Sequence, residues 1–146
     1  MGGTIPAMER VYTTPLLDKL GVRPGMRIAI VGELHDDADD AAAFHAELAT
    51  RTSDIAESTP KPDSDLVFLA ADSTDDLAAL ARIRPSLRPN GAIWVVSRKG
   101  KAATVRDVEV IAAARDNDLV DNKVVSFSPT RTALRLVIPV ALRPRA

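Results

Sequence analysis

The segment from Leu20 to Asp40 constrains the fold most, because a short apolar strand stands directly before a single glycine. Met26 to Val31 is predicted as a strand, and Gly32 ends it where the first strand-to-helix turn of an α/β sheet begins. Such turns hold phosphate or adenosine by close backbone approach, which usually requires two or three glycines. Here Gly32 is followed by Glu33, Leu34 and His35. The segment therefore predicts a nucleotide-binding type of sheet without the usual binding loop.

The rest of the chain alternates between helix and strand patterns. Asp37 to Thr50 is predicted as a helix, because Ala41, Phe44 and Leu48 recur at helical spacing. The other predicted elements are a short helix Leu16 to Leu20, a second strand near Ile55, a strand Leu66 to Ala71, a helix after Ser73, a strand Ala92 to Val96, a helix capped by Thr104 and Asp107 with Val105, Val108 and Ile111 on its inner face, and a hairpin of Leu119 to Phe127 with Thr132 to Val140.

This alternation predicts a single α/β domain over residues 1–146, with flexible ends at 1–12 and 141–146. The expected architecture is one Rossmann-like sheet, mostly parallel, with a C-terminal antiparallel hairpin and helices on both faces.

Composition narrows the classes of function. The chain has no cysteine, which excludes disulfides and thiolate sites, and only two histidines. One Trp, one Tyr and three Phe offer little surface for stacking bases, so nucleic acid is disfavoured as a partner. No apolar run approaches the roughly 20 residues of a membrane span, and the N-terminus lacks the apolar core of a signal peptide. We therefore expect a cytoplasmic protein without a membrane partner.

Charge is distributed unevenly along the chain. Residues 1–81 hold 6 Lys and Arg against 15 Asp and Glu, whereas residues 82–146 hold 13 against 5. In one folded domain such a division favours complementary surfaces within the molecule or between subunits. We expect self-association on this basis.

The acidic run from His35 to Asp40 invites a metal hypothesis, because hard cations prefer clustered carboxylates. Its spacing does not match an EF-hand loop, and acidic residues in the first turn of a helix are already favoured by the helix dipole. We predict no metal site here.

The order of elements resembles that of the S-adenosylmethionine-dependent methyltransferases. The similarity is best from Asp65 to Val96, where two strands flank a helix and Pro89-Asn90-Gly91 stands at the position of a Pro-Gly-Gly-like turn. The resemblance covers roughly Leu20 to Val140 and implies a methyltransferase-like Rossmann fold. The chain also resembles a group of small bacterial proteins of unknown function with a truncated fold of this type, for which no activity is implied.

The departures from the family concern its cofactor pocket. In the family the first strand is followed by a Gly-x-Gly-x-Gly loop, of which only Gly32 is present. The resemblance implies an acidic residue at the end of the second strand that binds the ribose hydroxyls, and either Asp54 or Glu57 matches that position. The short segment between Ile55 and Asp65 also predicts that one strand–helix unit of the family is absent. We therefore predict no cofactor, with S-adenosylmethionine disfavoured.

A second group of candidate residues comes from topology. In a parallel sheet, ligands bind beyond the carboxyl ends of the strands. The predicted ligand-binding residues at that edge are Gly32, Glu33, His35, Asp72, Ser97, Arg98, Lys99, Gly100, Ser128, Thr130 and Arg131. Their cations would suit a phosphate or carboxylate, with Arg98 and Arg131 facing one cleft. The alternative is that these are ordinary loop charges that pair with the acidic half of the chain.

No sequence motif of a hydrolase, a P-loop or a zinc enzyme is present, so the catalytic residues stay unknown. A general base would have to be Glu33, His35 or Asp72. Our leading hypothesis is a non-catalytic or regulatory module that binds a small anionic ligand or a protein partner. The alternative is an S-adenosylmethionine-dependent methyltransferase with an atypical cofactor loop, which should leave an open cavity beside Gly32 where a binding module would place Leu34.

Overall fold

The structure is a computed structural model that describes residues 15–144. The predicted flexible end at 1–12 lies outside the described residues, as do residues 145 and 146. Residues 140–142 form a single 3₁₀ turn, Val140–Leu142.

Within residues 15–144, six strands form one sheet in the order β2-β1-β3-β4-β6-β5. The strands are β1 Ile28–Val31, β2 Ile55–Glu57, β3 Ser64–Ala70, β4 Leu87–Arg98, β5 Val120–Ser126 and β6 Arg131–Val137. Strands β1 to β4 are parallel, whereas β6 runs antiparallel to both β4 and β5. The predicted mostly parallel sheet with a C-terminal hairpin is confirmed.

The helices are short, and several turns are of the 3₁₀ type. The α-helices are α1 Leu16–Lys19, α2 Ala38–Ala49, α3 Leu80–Ile83 and α4 Asp107–Asp116, and further 3₁₀ turns are Thr74–Ala79, Arg84–Ser86 and Gly100–Ala102. Helix α2 begins where the acidic run predicts, because the Asp37 side chain accepts a hydrogen bond from the Asp39 amide at 2.9 Å.

Alternate residues of each central strand face opposite sides of the sheet, and both sides are covered. On one side, α1 and α2 pack their buried Leu17, Phe44 and Leu48 over Phe68 and Trp94. On the other side, α3 and α4 with the Thr74–Ala79 turn cover a second apolar cluster. The predicted arrangement of helices on both faces is therefore confirmed.

Trp94 ties helix α1 to the middle of the sheet. Its indole Nε1 donates a hydrogen bond to the Leu20 carbonyl at 3.0 Å, and the side chain is fully buried. A buried indole donor needs an acceptor, and Leu20 follows the last residue of α1. This bond therefore fixes the end of α1 on β4.

Strand directions decide which residues share an edge. Because β1 to β4 are parallel, their carboxyl ends lie together, and the turn between β5 and β6 lies at the same edge. We call this edge the strand-end rim, formed by residues 32–36, 71–72, 98–100 and 127–131. Strands β2 and β3 are joined by residues 58–63, which contain no helix or strand.

Two details of the predicted helix near Thr104 are wrong. Helix α4 begins at Asp107, and the Arg106 amide donates to Glu109 Oε1 at 2.9 Å. The Thr104 hydroxyl instead donates to the Asp72 carbonyl at 2.5 Å, so it cannot cap the helix. The buried face also differs from the prediction, because Val108 is 62% exposed while Val110 and Ala114 are buried.

Gly91 lies where the backbone of β4 passes close to that of β3. The predicted Pro89-Asn90-Gly91 turn is part of β4, and the register between β3 and β4 shifts between Ser64 and Leu66. A Cβ atom on Gly91 would lie 2.9 Å from the Ser64 carbonyl oxygen and 3.0 Å from that of Asp65. Backbone atoms cannot yield as a flexible side chain can, so this position requires glycine.

We expect Gly91→Ala to lower the free energy of unfolding by about 1–3 kcal/mol, because the methyl group would force β3 and β4 apart. Urea unfolding followed by Trp94 fluorescence measures the loss. Asn90→Ala is the matched control, since Asn90 is exposed, and it should change stability little. Equal stability of Gly91→Ala and the wild type would contradict the close approach.

Candidate functional site

Gly32 joins the end of β1 to the rim under two constraints. Its φ is +86°, in the left-handed region that glycine adopts without strain. A Cβ atom there would also lie 3.0 Å from Cβ of Ala70, at the end of β3. The chain reverses its direction of travel across the sheet at β1, with β2 on one side and β3 on the other, and ligands of α/β sheets bind at such a point.

A cavity of about 330 Å³ opens beside this turn, which we call the Gly32 cavity. Its volume lies within the range of small-molecule sites in proteins. The lining residues are Ile30, Gly32, Glu33, Leu34, His35, Ala41, Ala42, Phe44, His45 and Glu57. A more open depression of about 430 Å³ lies on the other side of Gly32, against Ala70 and Arg82.

The loop after Gly32 leaves the cavity open because Leu34 turns inward. Leu34 is only 3% exposed and belongs to the apolar cluster that contains Phe44 and Phe68. His35 is half-buried, with its ring 5.3 Å from that of Phe44 and 5.2 Å from that of Phe127. The side chain predicted to fill the space in a binding module is thus part of the core.

Glu57 is the acidic residue at the end of the second strand. It is the last residue of β2 and lines the Gly32 cavity. The other candidate for this position, Asp54, precedes β2 and pairs instead with Arg27 Nε at 2.9 Å and with Lys61 Nζ at 3.4 Å. The arginine hydrogen bond holds the pKa of Asp54 below its usual value. Only Glu57 offers a carboxylate at the cavity from β2.

A second feature of the rim is a cluster of four charged side chains, Asp36, Asp72, Arg98 and Arg131, which we call the charge cluster. Arg131 is 2% exposed and donates to Asp36 Oδ1 at 2.7 Å and to Asp72 Oδ1 at 3.1 Å. Arg98 lies opposite Arg131 in the β4–β6 ladder and pairs with Asp36 at 2.9 Å and with Asp72 at 3.5 Å. Carboxylates from the acidic half therefore neutralise arginines of the basic half.

Titration behaviour follows from these contacts. Burial lowers the pKa of Arg131, but hydrogen bonds to Asp36 and Asp72 outweigh it and hold that pKa above its usual value. The hydrogen bond from Arg131 lowers the pKa of Asp36. Burial lowers the pKa of His35 below 6.5, so the imidazole is neutral at physiological pH.

The remaining predicted residues lie along the β4 and hairpin side of the rim. Ser97, Arg98, Lys99 and Gly100 line a groove of about 470 Å³, the β4 groove, which Arg106 also lines. Lys99 Nζ donates to the Ser126 hydroxyl at 2.7 Å. Ser128 and Thr130 are in the hairpin turn, where Ser128 Oγ accepts from the Arg131 amide at 3.1 Å.

The predicted site residues thus divide between separate places. Gly32, Glu33 and His35 are at the Gly32 cavity, while Asp72, Arg98 and Arg131 are joined in the charge cluster. Arg98 and Arg131 lie at one edge of the sheet as expected, but both guanidinium groups already form ion pairs with the carboxylates of Asp36 and Asp72. Whether this edge binds an anion, and whether the chain self-associates, stay predictions.

Sequence reasoning missed the role of Asp36, which it assigned to the helix start, and it left out Arg106 and His45. The charge asymmetry between the two halves was the only signal for the Asp36 contacts, and it does not identify which residues pair.

Among residues 15–144, no group of three or more histidine or acidic side chains is arranged to hold a metal ion. None of the helices described in that range is long and apolar enough to cross a membrane.

No protein-family model and no curated protein sequence matches the chain. Solved structures do. A methyltransferase from Aquifex aeolicus that depends on S-adenosylmethionine superposes with a TM-score of 0.53 at 14% identity, covering 84% of this chain and 87% of its own. One from Bacteroides fragilis, in complex with S-adenosyl-L-homocysteine, gives 0.54 at 12% identity over 87% and 78%.

The chain has the methyltransferase-like Rossmann fold. The resemblance stated from the sequence is confirmed at the level of fold. A pericyclic reaction enzyme also matches, with a TM-score of 0.55 at 14% identity, covering 88% of this chain and 48% of its own. The fold alone therefore does not select the reaction.

The prediction of no cofactor is wrong. The Aquifex aeolicus and Bacteroides fragilis proteins with this fold are methyltransferases that depend on S-adenosylmethionine, and the second holds S-adenosyl-L-homocysteine, which points to this cofactor rather than to none. The prediction counted glycines and assumed that Leu34 enters the pocket. Leu34 is instead buried in the core, and a cavity stands beside the loop.

We expect the free energy of unfolding to fall as the pH drops through 6.5, because the unfolded chain protonates His35 before the folded chain does. Well above pH 6.5 the imidazole is neutral in both the folded and the unfolded state, so it contributes no pH dependence there. Urea midpoints measured between about pH 7.5 and about pH 5 report the change. His35→Gln should lessen this pH dependence, whereas the exposed control His45→Gln should retain it. An unchanged dependence in His35→Gln would contradict the role of burial.

Proposed function

We propose that this protein binds an S-adenosyl cofactor in the Gly32 cavity and acts as a methyltransferase with an atypical cofactor loop. The observation that carries the proposal is the position of Glu57, whose carboxylate lines the same cavity as Gly32 from the end of β2. The fold of the solved relatives supports this function better than the non-catalytic alternative.

The residues of the cavity fit such a ligand. A carboxylate accepts hydrogen bonds from two neighbouring hydroxyls, so Glu57 would hold a ribose. Glu33, an exposed acid that also lines the cavity, would attract the positively charged part of the cofactor. Ala41 and Ala42, on the first half of α2, also line the cavity, and their small side chains occupy little of its volume.

The cofactor, when bound, supplies an electrophilic methyl group on a sulfonium. This chain would contribute orientation and exclusion of water, since Phe44 and Leu34 line the apolar side of the cavity. His35 is neutral at physiological pH because of burial, so its imidazole is able to accept a proton at the mouth of the cavity. Asp72 is poorly suited to that task, because Arg98 and Arg131 both engage its carboxylate.

We expect calorimetry to show binding of S-adenosylhomocysteine to the wild type, with about tenfold weaker binding in Glu57→Gln, because an amide is a weaker acceptor than a carboxylate. Glu47→Gln is the matched control, since Glu47 is exposed on α2 and does not line the cavity. Absence of binding by the wild type at millimolar ligand would refute the proposal. Equal losses in both variants would refute the role of Glu57.

The β4 groove favours an anionic group on the substrate that would accept the methyl group. Arg98, Lys99 and Arg106 all line it, and Lys99 forms no ion pair among the residues that the structure describes. In the described part of the chain, the partner of Arg106 is the neighbouring Glu109 at 3.6 Å, and the Arg106 side chain is highly exposed. These two cations are therefore available to a phosphate or carboxylate, whereas Arg98 is engaged by the charge cluster.

Sulfate should raise the melting temperature of the wild type by a few degrees, because an anion that binds only the folded state stabilises it. The double variant Lys99→Gln with Arg106→Gln should lose this response. Each single variant, Lys99→Gln or Arg106→Gln, should lose part of it, and Lys101→Gln is the control for these, because it removes one positive charge from the same loop outside the groove. A response that persists in the double variant would show that sulfate acts without this groove.

A further inference from the structure

We propose that Arg131 is a positioning residue for the Gly32 cavity. Through Asp36 it holds the loop of residues 33–35 that forms one wall of the cavity, although Arg131 does not itself line it. The inference rests on the proposed function only for the choice of ligand in its test.

The loop needs such support because its backbone has little of its own. Within residues 15–144, no backbone-to-backbone hydrogen bond joins residues 32–36 to another segment. Three side chains hold the loop instead. Leu34 is buried in the core, His35 packs between two phenylalanine rings, and Asp36 is bound by two arginines.

Arg131 is suited to act as the fixed point. It is the first residue of β6, and its amide is held by the Ser128 hydroxyl. Its guanidinium is buried, with Nη1 bound to Asp72 and Nη2 bound to Asp36, while its buried Nε–H has no acceptor among the described residues. A buried cation that lost Asp36 would keep only part of its compensation, so the structure strongly favours Asp36 in place.

A second connection leads from the same residue to the same wall. The Phe127 amide donates to the Arg131 carbonyl at 3.0 Å, and the Phe127 ring packs against His35. Arg131 therefore fixes His35 from two directions, through the carboxylate that follows it in sequence and through the aromatic ring beside it. Displacing Arg131 would move a wall of the cavity without removing any group that faces the ligand.

The test is a double-mutant cycle on the affinity for S-adenosylhomocysteine, measured by calorimetry well below the melting temperature. Asp36→Asn and Arg131→Gln should each weaken binding about tenfold, and the double variant should be about as weak as either single variant. Arg135→Gln is the control on the same strand outside the charge cluster, and it should bind as the wild type does. Independent effects that multiply, to about a hundredfold, would overturn the inference.

Histidine NMR supplies a readout that does not need the ligand. The chain has two histidines, so the ring signals of His35 and His45 are separable with one variant for assignment. Asp36→Asn and Arg131→Gln should shift the His35 signals and leave those of His45 in place. Unchanged His35 signals in both variants would overturn the inference.

The two proposals fail in different ways. A wild type that does not bind S-adenosylhomocysteine refutes the proposed function, and the His35 signals then decide the positioning role by themselves. If Arg131→Gln does not fold, Asp36→Asn carries the decision, because Asp36 is exposed and its substitution removes no apolar side chain from the core. Shifted His35 signals in Asp36→Asn would support the inference, and His35 signals at their wild-type positions would refute it.

Discussion

The rim of this sheet is organised by the burial of one positive charge. Removing a guanidinium from water is costly unless carboxylates and hydrogen bonds replace the lost hydration. Arg131 obtains them from Asp36 and Asp72, which belong to two different loops. The requirement to neutralise Arg131 therefore brings together the segment after β1, the segment after β3 and the hairpin. The Gly32 cavity lies beside this junction and depends on it for the shape of one wall.

Periodicity and turn chemistry predict most of the fold. The strand before Gly32, the helix that begins beside Asp37 and the C-terminal hairpin all follow from patterns confined to a few neighbouring residues. The errors occur where a distant group competes with the local pattern. Thr104 is a reasonable helix cap by sequence, but the carbonyl of Asp72 takes its hydroxyl, and α4 starts later. No pattern of neighbouring residues predicts that hydrogen bond, because its two partners are far apart in the sequence.

The site was harder to predict than the fold for the same reason. Sequence identifies Gly32, Glu33 and His35 as rim residues, because they follow a strand directly. It does not show which way Leu34 points, and that single orientation separates a filled pocket from an open cavity. Nor does it show that Asp36 meets a residue 95 positions away, since ion pairs between distant segments leave no spacing to detect.

The bond from Trp94 to the Leu20 carbonyl joins the first described helix to the centre of the sheet. This chain contains no other tryptophan, so its intrinsic fluorescence reports on one place alone. An indole that loses its acceptor and meets water emits at longer wavelength. Undocking of α1 would therefore shift the emission maximum of Trp94 to longer wavelength, even while the strands around Trp94 remain paired.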